Sequence, residues 1–183
     1  MALTPAISNV GRSLAGKLRQ GPPDEKMDAD QAPILVVNLG QTGRLVADRL
    51  DDAGIHYLAV EYDRERFERA LADGYPVQFG PVGDPRSWQA LAISERKGVV
   101  VTQGSMDRIR EIGPLIRDHA PEIQRIIAVD GMEEDPEIDD DRTIFIDTAK
   151  TDGIEHVADE VRALMGMERH LHEAGEAADK EAA

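Results

Sequence analysis

No cysteine occurs anywhere in this 183-residue sequence. That excludes disulfides, thiolate metal sites and cysteine nucleophiles, and makes a reducing compartment the default expectation. No apolar run approaches the roughly 20 residues that cross a bilayer, and the first ten positions lack the basic start and apolar core of a signal peptide, so the chain as it stands is expected to be soluble. Positive charge is also scarce: 21 Lys and Arg against 36 Asp and Glu leave a formal charge of -15. Such a field repels phosphate backbones and anionic headgroups, and nucleic acid is not expected as a partner. The length suits one ordinary domain with tails and is too short for a cofactor domain joined to a full substrate domain.

Against this acidic background, residues 1–20 carry Arg12, Lys17 and Arg19 and no acid, with Leu3, Ile7, Val10, Leu14 and Leu18 spaced along one helical face. Taken alone, the segment can be a helix docking on a partner, the end of a membrane helix with its positive flank, or a transit-like peptide. Residues 21–32, with Pro22-Pro23 and few apolar side chains, read as a linker. From Pro33 the pattern changes. Ile34-Leu35-Val36-Val37 is a fully apolar, β-branched run suited to a buried parallel strand.

Helices and strands then alternate: helix 43–53, strand 56–60, helix 64–72, strand 76–79, helix 85–93, strand 98–102, helix 105–119 and strand 125–129. Short strands separated by helices predict an α/β, Rossmann-like doubly wound and mostly parallel sheet with helices on both faces. The run 133–141 is too acidic to pack and reads as a surface loop. Thr143 to Ile146 is expected as a sixth, edge strand. Ile154, Val157, Val161, Leu164 and Met165 give a last helix its apolar face. The expected division is 1–20, linker 21–32, Rossmann domain 33–148, and a C-terminal helix and tail 149–183.

The first strand runs into Asn38-Leu39-Gly40-Gln41-Thr42-Gly43, where a dinucleotide fingerprint would have Gly-x-Gly-x-x-Gly. Gly40 would let backbone N–H groups approach a phosphate. Gly43 would let the helix pack close on the strand, and the helix N-terminus would add partial positive charge. Asn38 takes the first glycine position, and asparagine is among the few residues that tolerate an unusual turn conformation. Glu61, at the end of the second strand and 21 residues beyond Gly40, stands where a carboxylate accepts ribose hydroxyls. The bland alternative is that the glycines serve only the turn and Glu61 is a solvated strand end. Asp63 is expected to cap the next helix, with Arg64 and Arg66 on its solvated face. Glu61 favours an unphosphorylated ribose, while the basic pair leaves NADP open.

Three stretches together, Leu39-Gly40-Gln41-Thr42-Gly43-Arg44-Leu45-Val46-Ala47, Val60-Glu61-Tyr62-Asp63 and Gly74-Tyr75-Pro76-Val77-Gln78-Phe79-Gly80, resemble the TrkA-N (RCK) domain of Kef-type potassium:proton antiporters. Met1-Ala2-Leu3-Thr4-Pro5 resembles the end of the last membrane helix of those antiporters, which turns residues 1–20 into a juxtamembrane-like segment on the cytoplasmic face of a bacterial inner membrane. The resemblance implies a regulatory module that binds AMP, ATP or NAD(H), forms a homodimer, and transmits ligand state to an attached membrane antiporter domain. It places phosphate at Gly40, Gln41, Thr42 and Gly43, ribose at Glu61 and Tyr62, and adenine beside Gly80, Pro81 and Val82. With Asn38 and Asp63 at the two turns, and Thr102 and Gln103 at the fourth strand end, these are the candidate binding residues. The sequence departs from the family pattern at Asn38, at Pro81-Val82 in place of an Asp-Ala pair, and at Val129 where many members carry arginine.

Catalysis would need a proton-handling residue beside a nicotinamide, and none stands out. His56, His119, His156, His170 and His172 read as surface residues, and Trp88 and Tyr57 as packing residues. The acidic loop lacks the spaced acids and central glycine of an EF-hand, so no metal site is expected. The other readings are an NAD-dependent oxidoreductase and a non-binding dimerisation domain.

Overall fold

A computed structural model describes residues 32–102, 105–132 and 140–166. The juxtamembrane-like segment 1–20, nearly all of the linker, Gln103, residues 133–139 of the acidic loop and the tail from 167 lie outside the described residues.

Six strands form one sheet: β1 (Ile34–Val37), β2 (Tyr57–Glu61), β3 (Val77–Phe79), β4 (Gly98–Val101), β5 (Gln124–Val129) and β6 (Thr143–Asp147). Their order is β3-β2-β1-β4-β5-β6 and every neighbouring pair is parallel. The central strands are apolar at nearly every position because both sheet faces are covered, so no side chain of β1 or β4 meets water. Each parallel pair requires a crossover, and α1 (Gln41–Asp52), α2 (Arg64–Ala72), α3 (Pro85–Ala90) and α4 (Met106–His119) supply those linking β1 to β5 in chain order. A fifth helix, α5 (Gly153–Leu164), follows β6.

Side-chain alternation along the strands divides the core in two. Leu35, Val37, Val99, Val101 and Ile127 point to the face holding Trp88 of α3 and Ile109, Ile112 and Ile116 of α4. Ile34, Val36, Val100 and Ala128 point to the opposite face, against Val46 and Leu50 of α1, Ala70 of α2, and Val157 and Val161 of α5. Tyr57 and Trp88 are both buried packing residues, as expected. Burying aliphatic side chains at this completeness stabilises the fold by about 1.5–3 kcal/mol each before the entropy of ordering them is subtracted.

The elements differ from the sequence expectation at their ends. Helix α1 begins at Gln41, two residues early, because Gly40 takes the N-cap position in an extended conformation. Helix α3 stops at Ala90 rather than at Ile93: Ala92 enters the left-handed region (φ 49°), and Ile93–Glu95 form a separate 3₁₀ turn. Asp140, assigned to a loop too acidic to pack, is instead mostly covered. Both of its carboxylate oxygens accept from Nη2 of buried Arg125 (3.0 and 2.9 Å), and one accepts from Thr143 Oγ1 (2.9 Å). An acid with a geometrically matched guanidinium and a hydroxyl donor can be buried where an unpaired one cannot.

Among the described residues, the sheet beside α4 is only partly covered. A groove of about 480 Å³ runs between Met106, Ile109 and Gly113 of α4 and Ile127 and Phe145 of β5 and β6, with the Arg125–Asp140 pair in its wall.

Candidate functional site

The strand order reverses between β1 and β4, and the chain leaves these neighbours on opposite sides, opening a crevice at their C-terminal ends. Its floor is the turn from Asn38 to Gly43. Asn38 sits at φ 75°, the left-handed region in which asparagine is the best-tolerated residue after glycine. Its backbone N–H donates to Val60 O (2.8 Å), its Nδ2 donates to Thr102 O (2.6 Å), and Thr102 Oγ1 donates back to Asn38 O. The turn is thereby tied to both neighbouring strands.

The two glycines of the turn serve different ends. A Cβ on Gly43 would stand 2.1 Å from Asn38 O and 2.7 Å from Thr102 Oγ1, so the close approach of α1 to β1 requires glycine there. A Cβ on Gly40 would meet nothing nearer than Asn38 Nδ2 at 3.3 Å. With φ -66° Gly40 also needs no special backbone freedom. A Cβ here would require only that the Asn38 side chain give by a few tenths of an ångström, a far smaller demand than at Gly43, and the residue lines the crevice.

The crevice, of about 360 Å³, is walled by Asn38, Gly40, Gln41, Thr42, Arg66 and Thr102, with Asp130, Thr148 and Ile154 on the far side. No side chain caps the N-terminus of α1, whereas α2 is capped by Asp63, α3 by Asp84 and α4 by Ser105. The first N–H groups of a helix have no intrahelical acceptor, so the floor presents donors and partial positive charge. Asn38 Oδ1 is buried and has no hydrogen-bond partner among the described residues. It is an acceptor awaiting a donor, which a hydroxyl or amide of a ligand could supply.

Glu61 is fully buried. Oε2 accepts from Leu39 N (2.8 Å), while Oε1 accepts from Tyr62 N (2.9 Å), Asp63 N (2.8 Å) and Arg66 Nη2 (3.3 Å). The carboxylate therefore locks the end of β2 to the glycine turn and offers no exposed oxygen in this arrangement. Arg66 lies over it at the lip of the crevice. Burial opposes the Arg66 charge, but Tyr62 and Glu61 outweigh it and hold the guanidinium above its ordinary pKa. Arg66 Nε is buried without a partner. Arg66 and Arg108 both lie over the Tyr62 ring, at 5.3 and 5.2 Å from its centroid, within cation–π range.

The structure brings Asn38, Gly40, Gln41, Thr42 and Thr102 to the crevice wall with Gly43 packed against the turn, whereas Glu61 and Tyr62, expected at the ribose, do not line it, Glu61 being buried beneath Leu39 N and Arg66. Asp63 caps α2 through Arg66 N. Gly80 and Pro81 do not line this crevice, and Val82, expected beside adenine, is instead buried in the core with Trp88. Val82, the second residue of the Pro81-Val82 that stands where the resemblance leads one to expect an Asp-Ala pair, packs inward, away from the crevice. Arg64 pairs with Glu68 on the solvated helix face as expected, but Arg66 does not share that face. Leu45, Asp130, Thr148 and Ile154 also line the crevice and were not among the candidates. Asp130 and Thr148 directly follow β5 and β6, so the tendency of ligands to bind beyond strand C-termini was the signal that could have found them. Among the described residues no group of three or more His, Asp or Glu is placed to hold a metal ion, and no helix is long and apolar enough to cross a membrane.

Comparison with known proteins finds a match over residues 34–158 to the family model of the TrkA-N domain. Among solved structures, the TrkA-N domain of inner membrane protein ybaL from Escherichia coli superposes with a TM-score of 0.53 at 18% identity, covering 73% of this chain and 96% of that one. The NAD(P)-binding domain of an exopolyphosphatase-related protein from Archaeoglobus fulgidus gives 0.56 at 18% identity, covering 72% and 98%. At such identity these two show a shared fold. A comparison with curated protein sequences finds no match.

Proposed function

This chain belongs to the TrkA-N domain family, and on that premise we propose that it is a nucleotide-sensing regulatory domain and not an enzyme. In this reading it forms the cytoplasmic part of a Kef-type potassium or other monovalent cation:proton antiporter. AMP, ATP or NAD(H) binds at Gly40, Gln41 and Thr42 and biases a homodimer, and the linker at 21–32 carries the difference to the membrane domain. A ligand moves such an equilibrium only by its differential affinity for the two arrangements.

The observation that carries this reading is the crevice at Gly40, a glycine the packing demands far less than Gly43, set before an uncapped helix N-terminus and beside an unsatisfied acceptor on Asn38. The described crevice residues include one carboxylate, the exposed Asp130, and no histidine, so the proton handling of a hydride-transfer enzyme has little to rest on. The half-covered groove beside α4 supports the dimer, since a second copy would remove Phe145 and Met106 from water.

Thermal-shift titration of the chain with AMP, ATP, NAD and NADH tests the proposal. A ligand at a hundred times its Kd stabilises the native state by about 2.7 kcal/mol. For a domain of this size that raises the melting temperature by about 5–10 °C. No shift with any of the four, nor with NADPH, would reject nucleotide sensing and leave a dimerisation domain.

A further inference from the structure

The geometry points to a ligand whose adenosine ribose carries a phosphate, with Arg66 as the residue that selects it: the crevice is built for NADP(H) over NAD(H). This inference rests on the nucleotide-binding reading and names the ligand class of the same site.

The argument begins with what Glu61 cannot do. Selection of an unphosphorylated ribose needs a carboxylate oxygen free to accept the 2′ and 3′ hydroxyls. Here the side chain is fully buried and both oxygens are engaged, Oε2 by Leu39 N and Oε1 by two backbone N–H groups and Arg66. Asp63, the other acid at this strand end, holds Arg66 N as the cap of α2. Glu61 is thus committed to backbone donors and Arg66, Asp63 caps α2 through Oδ1, and neither carboxylate lines the crevice.

The group that does reach the crevice is a cation. Arg66 lines it beside Gly40, with Nη1 3.9 Å from where a Gly40 Cβ would stand. Its Nε is a buried donor without an acceptor. Single hydroxyls match a guanidinium poorly, whereas a phosphate monoester offers three oxygens to its fork and a charge near -2. Arg108 brings a second guanidinium from α4 to the same Tyr62 ring, and its own partner, Glu111, is a solvent-facing neighbour one turn along the helix. In a chain of net charge -15, two arginines thus converge on one tyrosine ring, and one of them, Arg66, lines the crevice.

Isothermal titration of the full chain with NADP⁺, NAD⁺, adenosine 2′-monophosphate and AMP tests this, alongside Arg66→Ala and Arg108→Ala. NADP⁺ is expected to bind at least about tenfold tighter than NAD⁺, and adenosine 2′-monophosphate tighter than AMP, as charge-assisted bidentate recognition implies. Arg66→Ala should abolish both preferences, weakening NADP⁺ at least about tenfold more than NAD⁺, and Arg108→Ala should reduce them. Equal or tighter binding of NAD⁺ by the wild-type chain overturns the inference whatever the variants do. An Arg66→Ala loss shared equally by NADP⁺ and NAD⁺ also overturns it, since Arg66 would then hold a part common to both. A chain that binds none of the four ligands, and neither ATP nor NADH, rejects the nucleotide-sensing function itself, whereas tight, unselective binding rejects only this inference.

Discussion

Two alanine substitutions three residues apart should act on different properties of the molecule. In Gly43→Ala the new methyl would begin 2.1 Å from Asn38 O, 2.7 Å from Thr102 Oγ1 and 3.1 Å from Asn38 C. Two of those three atoms are backbone, so relief requires α1 to move off β1 or the turn to open. Overpacking of this kind costs about 1–3 kcal/mol, and a backbone clash this close belongs at the upper end. The expected fall in melting temperature is about 5–10 °C. In Gly40→Ala the backbone (φ -66°, ψ -163°) is open to any L-residue, and the methyl meets only the ends of the Asn38 and Arg66 side chains, at 3.3 and 3.9 Å. The lost N-cap preference for glycine and the gain from a less flexible unfolded chain are each below about 1 kcal/mol and oppose one another. Melting should therefore change by no more than about 2 °C. The methyl would, however, occupy the approach to the α1 N-terminus, and nucleotide affinity should drop at least about tenfold, the loss of one good charge-assisted contact. Differential scanning fluorimetry and titration calorimetry on both variants check this. A Gly43→Ala chain as stable as the parent would refute the packing argument. A Gly40→Ala chain that binds as tightly as the parent would refute the assignment of the open space to ligand.

The buried Arg125–Asp140 pair ties the segment entering β6 to β5, and Asp140→Asn should destabilise the domain by about 2–4 kcal/mol in denaturant unfolding, because it leaves the Arg125 charge uncompensated. Burial pushes the Asp140 carboxyl up, but hydrogen bonds from Arg142 N, Thr143 and Arg125, with the Arg125 charge, outweigh it and hold the pKa below the ordinary carboxylate range. A group depressed in this way stabilises the fold above its unfolded pKa, near 4, and loses that contribution as pH falls through the lower folded value. Melting temperature should thus fall more steeply below about pH 4 in the parent than in Asp140→Asn, and parallel profiles would refute the linkage. Gly113→Arg tests the dimer surface: a Cβ there meets nothing within 4 Å and the residue lines the groove, so the variant should keep its intrinsic helix stability while shifting a dimer to monomer in sedimentation. An unchanged oligomeric state would remove the groove from the interface.

Much of this molecule was legible as pattern. The β-branched runs at 34–37 and 98–101, with amphipathic helices between strands, could only be satisfied by a sheet buried on both faces, and right-handed crossovers left few strand orders. The glycine turn and its asparagine were likewise local matters, since φ 75° at Asn38 is a property of a residue and its neighbours. Even Asp63 as a cap and Arg64 as a solvated side chain follow from position on α2.

What only the tertiary structure decided concerns side chains whose partners are distant in sequence. Arg66 and Arg64 are alike as letters on one helix start, yet Arg66 lies over Glu61 and meets Tyr62 together with Arg108, whose approach depends on how α4 lands on the sheet. Glu61 could be read as a ribose acceptor because its spacing is right, but whether a carboxylate faces a ligand or the backbone depends on which donors the fold brings near. Here Leu39 N, from the neighbouring strand's turn, claims it. Val82 and Asp140 turn inward for the same reason, one toward Trp88 and the other toward Arg125. Periodicity along a chain records burial averaged over an element, whereas hydrogen bonds and ion pairs are directional and short-ranged, so the fold followed from the sequence while the chemical character of the crevice waited for the packing.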